Sequence, residues 1–371
     1  MGQSLSEPRT EKRTSTCEND MFLAATSSMQ GWRIEMEDAH CIKLSLCEDK
    51  NSAYFAVFDG HGGANFAVYC SQHLHDEIIA NENFGEGNIT CAIQGGFLTL
   101  DKKLQDDPRL NFQYEQGGTT AITLSLLQGN AGDSRAVASV GGVVQELSND
   151  HKPTRPDEER RIYAAGGWVE LNRVNGNLAL SRAFGDFNFK KNPNLAQLDQ
   201  IVTVNPEILQ FDITPNHEFI VLACDGIWDV MSNKEVVDFV RQKISEQMKP
   251  AQICESILDH CLAPDCRLGG VGCDNMTVII VCFLNGCGYS DLAMRCGVPV
   301  QPKPSPTHQF SEDRGRPRKS STTCETSRDI EYACPIQPAK LDKFESHKDS
   351  SPNDLYDECA PDPDIAPETS V

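Results

Sequence analysis

The chain has 371 residues, 39% hydrophobic and 23% charged, which suits a folded domain of roughly 250–300 residues plus tails. Its 27 glycines and 20 prolines exclude a collagen-like or wholly disordered chain, and 33 basic against 54 acidic residues leave a net charge of −21. That charge argues against a nucleic-acid binder that works by neutralising phosphates. No apolar run approaches the ~20 residues of a membrane helix. The polar N-terminus lacks a signal-peptide core, so the 16 cysteines are expected as reduced thiols.

In chain order, residues 1–20 are polar and mixed in charge and are expected as an arm. Residues 21–290 read as the folded domain. Residues 52–58 (SAYFAVF) form a buried strand candidate that stops at Asp59-Gly60-His61-Gly62-Gly63. Helical spacing follows over 64–80 and over 88–104, the second weakened by Gly95-Gly96. Residues 119–127, 136–139 and 143–147 read as strands, the last two joined across Gly141-Gly142. A short helix over 157–165 runs into Gly166-Gly167, a C-terminal stop signal. Residues 218–224 (EFIVLAC) are a second buried strand running into Asp225-Gly226. Helices over 234–247 and 251–261 come next, then a strand over 275–284. Strands clustered around pairs of helices, rather than alternating with them, predict an α+β fold with largely antiparallel sheets. After about 291 the text turns to Pro, Ser, Thr and charge, with a basic island at 314–319 (RGRPRK). Residues 291–371 are therefore expected as a disordered tail.

Three strand ends deliver an aspartate into a turn: Asp59, Asp225 and Asp274. Strand ends are rigid mounts for ligands. Carboxylates converging on one point repel unless a hard cation sits among them. Without histidine-rich spacing, oxygen-loving Mg²⁺ or Mn²⁺ fits better than Zn²⁺. A single Asp-Gly, taken alone, is most simply a turn.

The surrounding strings carry more. Met29-Gln30-Gly31-Trp32-Arg33, Met36-Glu37-Asp38-Ala39-His40 and the Asp59–Gly63 run are followed by Gly118-Thr119-Thr120-Ala121 and Gly132-Asp133-Ser134-Arg135. Asp150-His151-Lys152-Pro153, Val174-Asn175-Gly176, Ser181-Arg182-Ala183, Asp225-Gly226-Ile227-Trp228-Asp229 and Asp274-Asn275-Met276-Thr277 then appear in order. Over roughly residues 22–285 the chain resembles the metal-dependent protein phosphatases, the type 2C serine/threonine enzymes. The resemblance implies a central β-sandwich of two antiparallel sheets flanked by α-helices, four layers in all.

It also implies roles. Asp59 would bridge two metal ions, Gly60 would give a backbone carbonyl to one, and Asp225 and Asp274 would complete the other. Glu37 and Asp38 would hold coordinated waters, and Asp133 with Asp225 would form a weaker third site. Arg33 would grip the substrate phosphate, and His61 would be the general acid. Arg182 would lie in a flap beside the site, facing an acidic or phosphorylated segment or else paired with Asp186. The implied reaction is hydrolysis of phosphoserine and phosphothreonine by direct attack of a water bridging the two ions. Two cations acidify such a water and neutralise phosphoryl charge. A guanidinium forks onto two phosphate oxygens, and an imidazole protonates a poor leaving group.

Four further signals are weighed beside these. His260-Cys261, five residues and Arg267 match the spacing of cysteine-dependent phosphatases. Pro264 removes a donor from that loop, however, and Asp265 sets a negative charge where an anion should sit. The six cysteines from Cys254 to Cys287 contain no Cys-x-x-Cys pair, a poor zinc pattern. Between Ala121 and Gly129 only residues 122–128 remain, about half a dozen fewer than family members carry. A register slip there would exchange the strand faces, which motivates a second reading of the chain as a catalytically impaired phosphatase fold acting as a scaffold. Finally, Met1-Gly2-Gln3-Ser4-Leu5-Ser6 fits N-myristoylation at Gly2, an anchor that holds membrane only reversibly. The expected protein is a monomer acting on phosphoproteins, cytoplasmic and also nuclear or weakly membrane-associated, with no nucleic-acid partner.

Overall fold

The computed structural model describes residues 4–46, 52–112, 115–124, 128–267 and 269–300. The Gly2 acylation candidate and the tail from 301 onward lie outside these residues. Two antiparallel sheets make the centre of the molecule. One has six strands in the order Ser4–Glu18, Phe22–Arg33, Met276–Phe283, His217–Ala223, Arg135–Val140, Val143–Glu146. The other has five, in the order Glu207–Leu209, Gln128–Ala131, Ala121–Leu124, Tyr54–Phe58, Ala39–Lys43.

The sequence expectation of an α+β sandwich with helices on both outer faces is met, and alternation along single strands explains it. In His217–Ala223, Val221 and Ala223 face one way and Ile220 and Leu222 the other. The first pair joins Val278 and Ile280 against the helices Asn233–Ser245 and Pro250–Cys261. The second pair meets Phe55, Val57 and Ile122 of the opposite sheet. On the outer face of that sheet, Tyr54, Ala56 and Phe58 pack on Phe66, Leu74, Phe97 and Leu100 of the helices Asn65–Ile79 and Ile89–Asp106. Strands buried on both faces read as continuous apolar runs, which is why 52–58 and 218–224 stand out in the text. Each large side chain so removed from water contributes roughly 1.5–3 kcal/mol.

The helices start where the sequence tells them to. Ser232 accepts from the Glu235 amide while the Glu235 carboxylate accepts from the Ser232 amide, a reciprocal cap for Asn233–Ser245. Pro156 and Pro250 open their helices at a position where no backbone donor is lost.

Three expectations change. Residues 4–18 are an edge strand rather than a free arm, paired along Phe22–Arg33 from Ser4↔Arg33 to Glu18↔Leu23. The folded part also runs past 290, because the helix Tyr289–Cys296 buries Leu292, Ala293 and Cys296. At the two ends of the short 122–128 segment the expected slip is not seen: Ala121↔Ala131, Ile122↔Asn130, Thr123↔Gly129 and Leu124↔Gln128 pair antiparallel. That ladder carries no register shift among the described residues.

Candidate metal centre and catalytic edge

One edge of the sandwich collects the ends of six strands. Asp59 follows Tyr54–Phe58, and Asp225 follows His217–Ala223 after one residue. Asp274 and Asp133 each stand just ahead of a strand, Met276–Phe283 and Arg135–Val140. Arg33 ends Phe22–Arg33, and Asp38 precedes Ala39–Lys43. Antiparallel pairing puts alternating strand starts and stops at the same edge, so residues far apart in sequence arrive together.

Carboxylate oxygens of Asp59, Asp133 and Asp225 lie within 4.8 Å of one another. Oxygens of Asp38 and Asp59 and the Cys224 sulfur form a second group of the same tightness. Asp274 belongs to neither group, but its charge reaches Asp59 and Asp225. Desolvation first, and then mutual repulsion, raise the Asp59 and Asp225 carboxyls well above the usual carboxylate range. The Asp38 carboxyl is pushed up to about 7, chiefly by desolvation. Its Oδ2 accepts from the Thr277 hydroxyl at 2.7 Å. Among the described residues, no lysine or arginine is ion-paired with Asp59 or Asp225. The Asp59, Asp133 and Asp225 group offers only oxygens, with one ammonium, that of Lys152, against three carboxylates, which fits a hard divalent cation.

Backbone geometry explains two of the glycines. A Cβ at Gly60 would sit 2.3 Å from the Glu37 carbonyl oxygen, and one at Gly226 would sit 2.0 Å from that of Asn275. Only a residue without a side chain lets these turns close on one another. Asn275 ties the cluster down. Its Oδ1 accepts from the Glu37 amide at 2.9 Å, and its Nδ2 donates to the carbonyls of Gln30 and Glu35. The Glu37 carboxylate in turn accepts from the Gly63 amide at 2.5 Å. The strings holding Arg33, Glu37, Gly60 and Asp274 are therefore one hydrogen-bonded assembly.

Arg33 Nη2 stands 2.5 Å from Asp274 Oδ2. Burial opposes its charge, but Asp274, Asp225 and Asp59 outweigh that and raise its pKa. His61 Nε2 lies 2.7 Å from Asp186 Oδ2. Burial alone would lower the imidazole, yet Asp186, helped by Asp133 and Glu37, carries the net shift upward. Lys152 Nζ meets Asp133 Oδ2 at 2.5 Å, and despite desolvation Asp133 and Asp225 raise its pKa.

Arg182 is corrected. It does not face the cleft or Asp186. It closes on Glu158 at 2.6 Å, with both side chains nearly buried, and donates to the Asn205 carbonyl. Asp186 instead turns to His61 from a left-handed backbone position, φ 50°. Asp186, Lys152, Asn275 and Thr277 all act at this edge, and none was singled out as a site residue from the sequence. Asn275, Thr277 and Lys152 sit within the strings quoted above, which was their only signal.

The cysteine alternative fails on geometry. Cys261 is buried at the C-terminal end of Pro250–Cys261, and burial pushes its thiol up to about 12. Arg267 is exposed and pairs with Asp265. Cys266 forms a disulfide with Cys273, so the expectation of reduced thiols throughout does not hold for this pair. The metal-competent groupings among the described residues include none of the cysteines from Cys254 to Cys287.

Known proteins resemble this chain in sequence and fold. The family profile described as protein phosphatase 2C matches residues 22–268. A probable protein phosphatase 2C of Caenorhabditis elegans is 53% identical over 305 residues, spanning 81% of this chain and 85% of that protein. Protein phosphatase 2C homolog 2 of Hypocrea jecorina is 43% identical over 332 residues, spanning 85% and 75%. Among solved structures, a phosphatase from a pathogenic strain of Toxoplasma gondii superposes with a TM-score of 0.63 at 27% identity, covering 74% of this chain and 96% of that one. The chain belongs to the protein phosphatase 2C family, the metal-dependent protein serine/threonine phosphatases.

Proposed function

We propose that the chain hydrolyses phosphoserine and phosphothreonine in proteins by direct attack of water at a centre of two divalent ions, Mg²⁺ or Mn²⁺. The observation that carries this reading is the close approach of Asp59, Asp133 and Asp225 without a neutralising cation on Asp59 or Asp225. When bound, the ions supply Lewis acidity, lowering the pKa of a water and offsetting charge on the phosphoryl oxygens. Asp59 and the Gly60 carbonyl, with Asp225 and Asp274, are the residues that would hold them. Glu37 and Asp38 would orient water at that centre, and Asp133 with Asp225 would take a weaker third ion.

The chain's own groups do the rest. Arg33 offers its guanidinium fork to two phosphate oxygens, and Asp274 holds it in place at one end. That contact aligns phosphorus with the carboxylate cluster. His61, oriented through Nε2 by Asp186, delivers a proton to the departing serine or threonine oxygen. The substrates are phosphoproteins of the cytoplasm and nucleus, met by a monomer whose Gly2 acyl group gives at most reversible membrane attachment.

Turnover of a phosphothreonine peptide by the purified chain tests the reading. Activity should vanish in EDTA and return with Mn²⁺. Hydrolysis that persists in chelator would overturn the metal centre. Absence of turnover at saturating Mn²⁺ would favour the scaffold reading instead.

A further inference from the structure

Asp133 differs from the other two carboxylates of its group because a cation already sits on it. The Lys152 ammonium is 2.5 Å from Oδ2. The Asp133 side chain is 6% exposed and the Lys152 side chain 44%, so the ammonium reaches a buried oxygen from the solvent side. The backbone behind it is clamped. The His151 amide donates to the Gly132 carbonyl at 2.9 Å, and the Gly132 amide donates to His151 Nδ1 at 3.1 Å. The His151 ring is fully buried. The loop that bears Lys152 is thus fixed to the turn that bears Asp133, while four rotatable side-chain bonds let the ammonium come and go.

We propose that Lys152 is a tethered counter-cation for Asp133, which a third divalent ion must displace, and that this competition is what keeps the third site weak. The inference rests on the reading of the carboxylate edge as a metal centre. A ligand held on a short tether competes at a local concentration in the millimolar range or above. Displacing it also leaves an ammonium and a divalent ion near each other, a like-charge contact that raises the free energy of the loaded state. No ammonium is bonded to Asp59 or Asp225, and Lys152 reaches Asp225 only through its charge, so the two tighter ions are affected much less.

The test is Mn²⁺ binding to the full chain, read by calorimetry and by the paramagnetic signal of free Mn²⁺. Lys152→Met removes the ammonium without adding an oxygen ligand. It should tighten the weak class by roughly tenfold or more and shift the tight class by much less. Its metal-free melting temperature should fall below that of the parent chain, and excess Mn²⁺ should close the gap. Lys152→Arg, which keeps a cation, should leave the weak class weak, and adding Asp133→Asn to Lys152→Met should erase the tightened site. A weak-class affinity equal to the parent's in Lys152→Met overturns the proposal, as does a tightened site that survives Asp133→Asn. If the parent chain shows no tight class at all, the metal centre itself fails, and the proposal with it.

Discussion

Two parts of this molecule bury ionisable groups, and they treat them in opposite ways. In the segment that follows Arg135–Val140, charges are matched. Glu158 accepts from both Arg182 and Arg161 and from the Ser181 hydroxyl, and Lys190 closes on Asp101 at 2.8 Å. Glu158 is held at about 2 because Arg182 and Arg161 overcome its desolvation. At the catalytic edge the balance runs the other way. Asp59, Asp225 and Asp38 are driven upward by desolvation first and then by neighbouring carboxylates, Asp133 and Asp274 among them. Matched buried charge fixes the shape of a loop, whereas unmatched buried charge of one sign marks a place reserved for something else. The sign of a shift alone does not locate function, because burial raises the Asp101 carboxyl even beside Lys190; what sets the catalytic edge apart is that its buried carboxylates meet one another.

Substitutions should separate the two regions. Asp225→Asn or Asp59→Asn should reduce turnover of a phosphothreonine peptide by on the order of 10³-fold. The same change should raise the melting temperature in EDTA, because it removes repulsion. A metal-free protein made less stable by Asp225→Asn would contradict the contrast drawn here. In the matched region the expected result is reversed. Arg182→Met removes one of the two cations on a buried carboxylate, Arg161 remaining, and should lower stability by about 1–3 kcal/mol in urea titrations. Its folded fraction should keep a near-normal KM for phosphopeptide, since Arg182 binds Glu158 rather than substrate.

Acid sharpens the comparison further. The Glu158 pKa is depressed from 4.5 to about 2, so its contribution is complete above pH 4.5 and is lost as pH falls toward 2. The stability difference between the parent chain and Glu158→Gln should therefore be largest near neutrality and shrink on acidification. A difference that grows between pH 5 and pH 3 would reverse the assigned sign. The smallest effect is expected at Cys261. Cys261→Ser should leave turnover unchanged, and alkylating reagents should not inhibit through this thiol, because it is buried and its pKa is raised. Loss of activity in that variant would revive the cysteine mechanism.

Much of the catalytic edge was legible in the text, for a physical reason. A buried strand that stops at an aspartate and a glycine leaves a mark at 58–60 and again at 224–226, and those marks are local. Arg182 was misjudged because its partner is 24 residues away and nothing in the intervening text points to it. Asp186, four positions along, looked closer, but that stretch is not helical and Asp186 turns back to His61. The edge strand Ser4–Glu18 was missed for a different reason. Its side chains are mostly exposed, and backbone pairing holds it, with side-chain ties such as Lys12 to Asp259 and Thr14 to Glu255. A strand with one wet face and no apolar alternation cannot be told from a coil by pattern alone.

That strand ends in a telling place. Ser4 lies opposite Arg33, the residue proposed to hold the phosphate, and the Ser4 hydroxyl also approaches the Cys266 sulfur at 3.9 Å. The last described residue, Val300, lies instead against Gly142, in the turn that follows Arg135–Val140 at the end remote from Asp133. A purification handle or fluorescent fusion ahead of Ser4 is therefore expected to slow turnover of phosphoproteins more than that of small phosphopeptides, because Ser4 pairs with Arg33. Any kinetic comparison of this enzyme on large and small substrates should carry its label on the other flank.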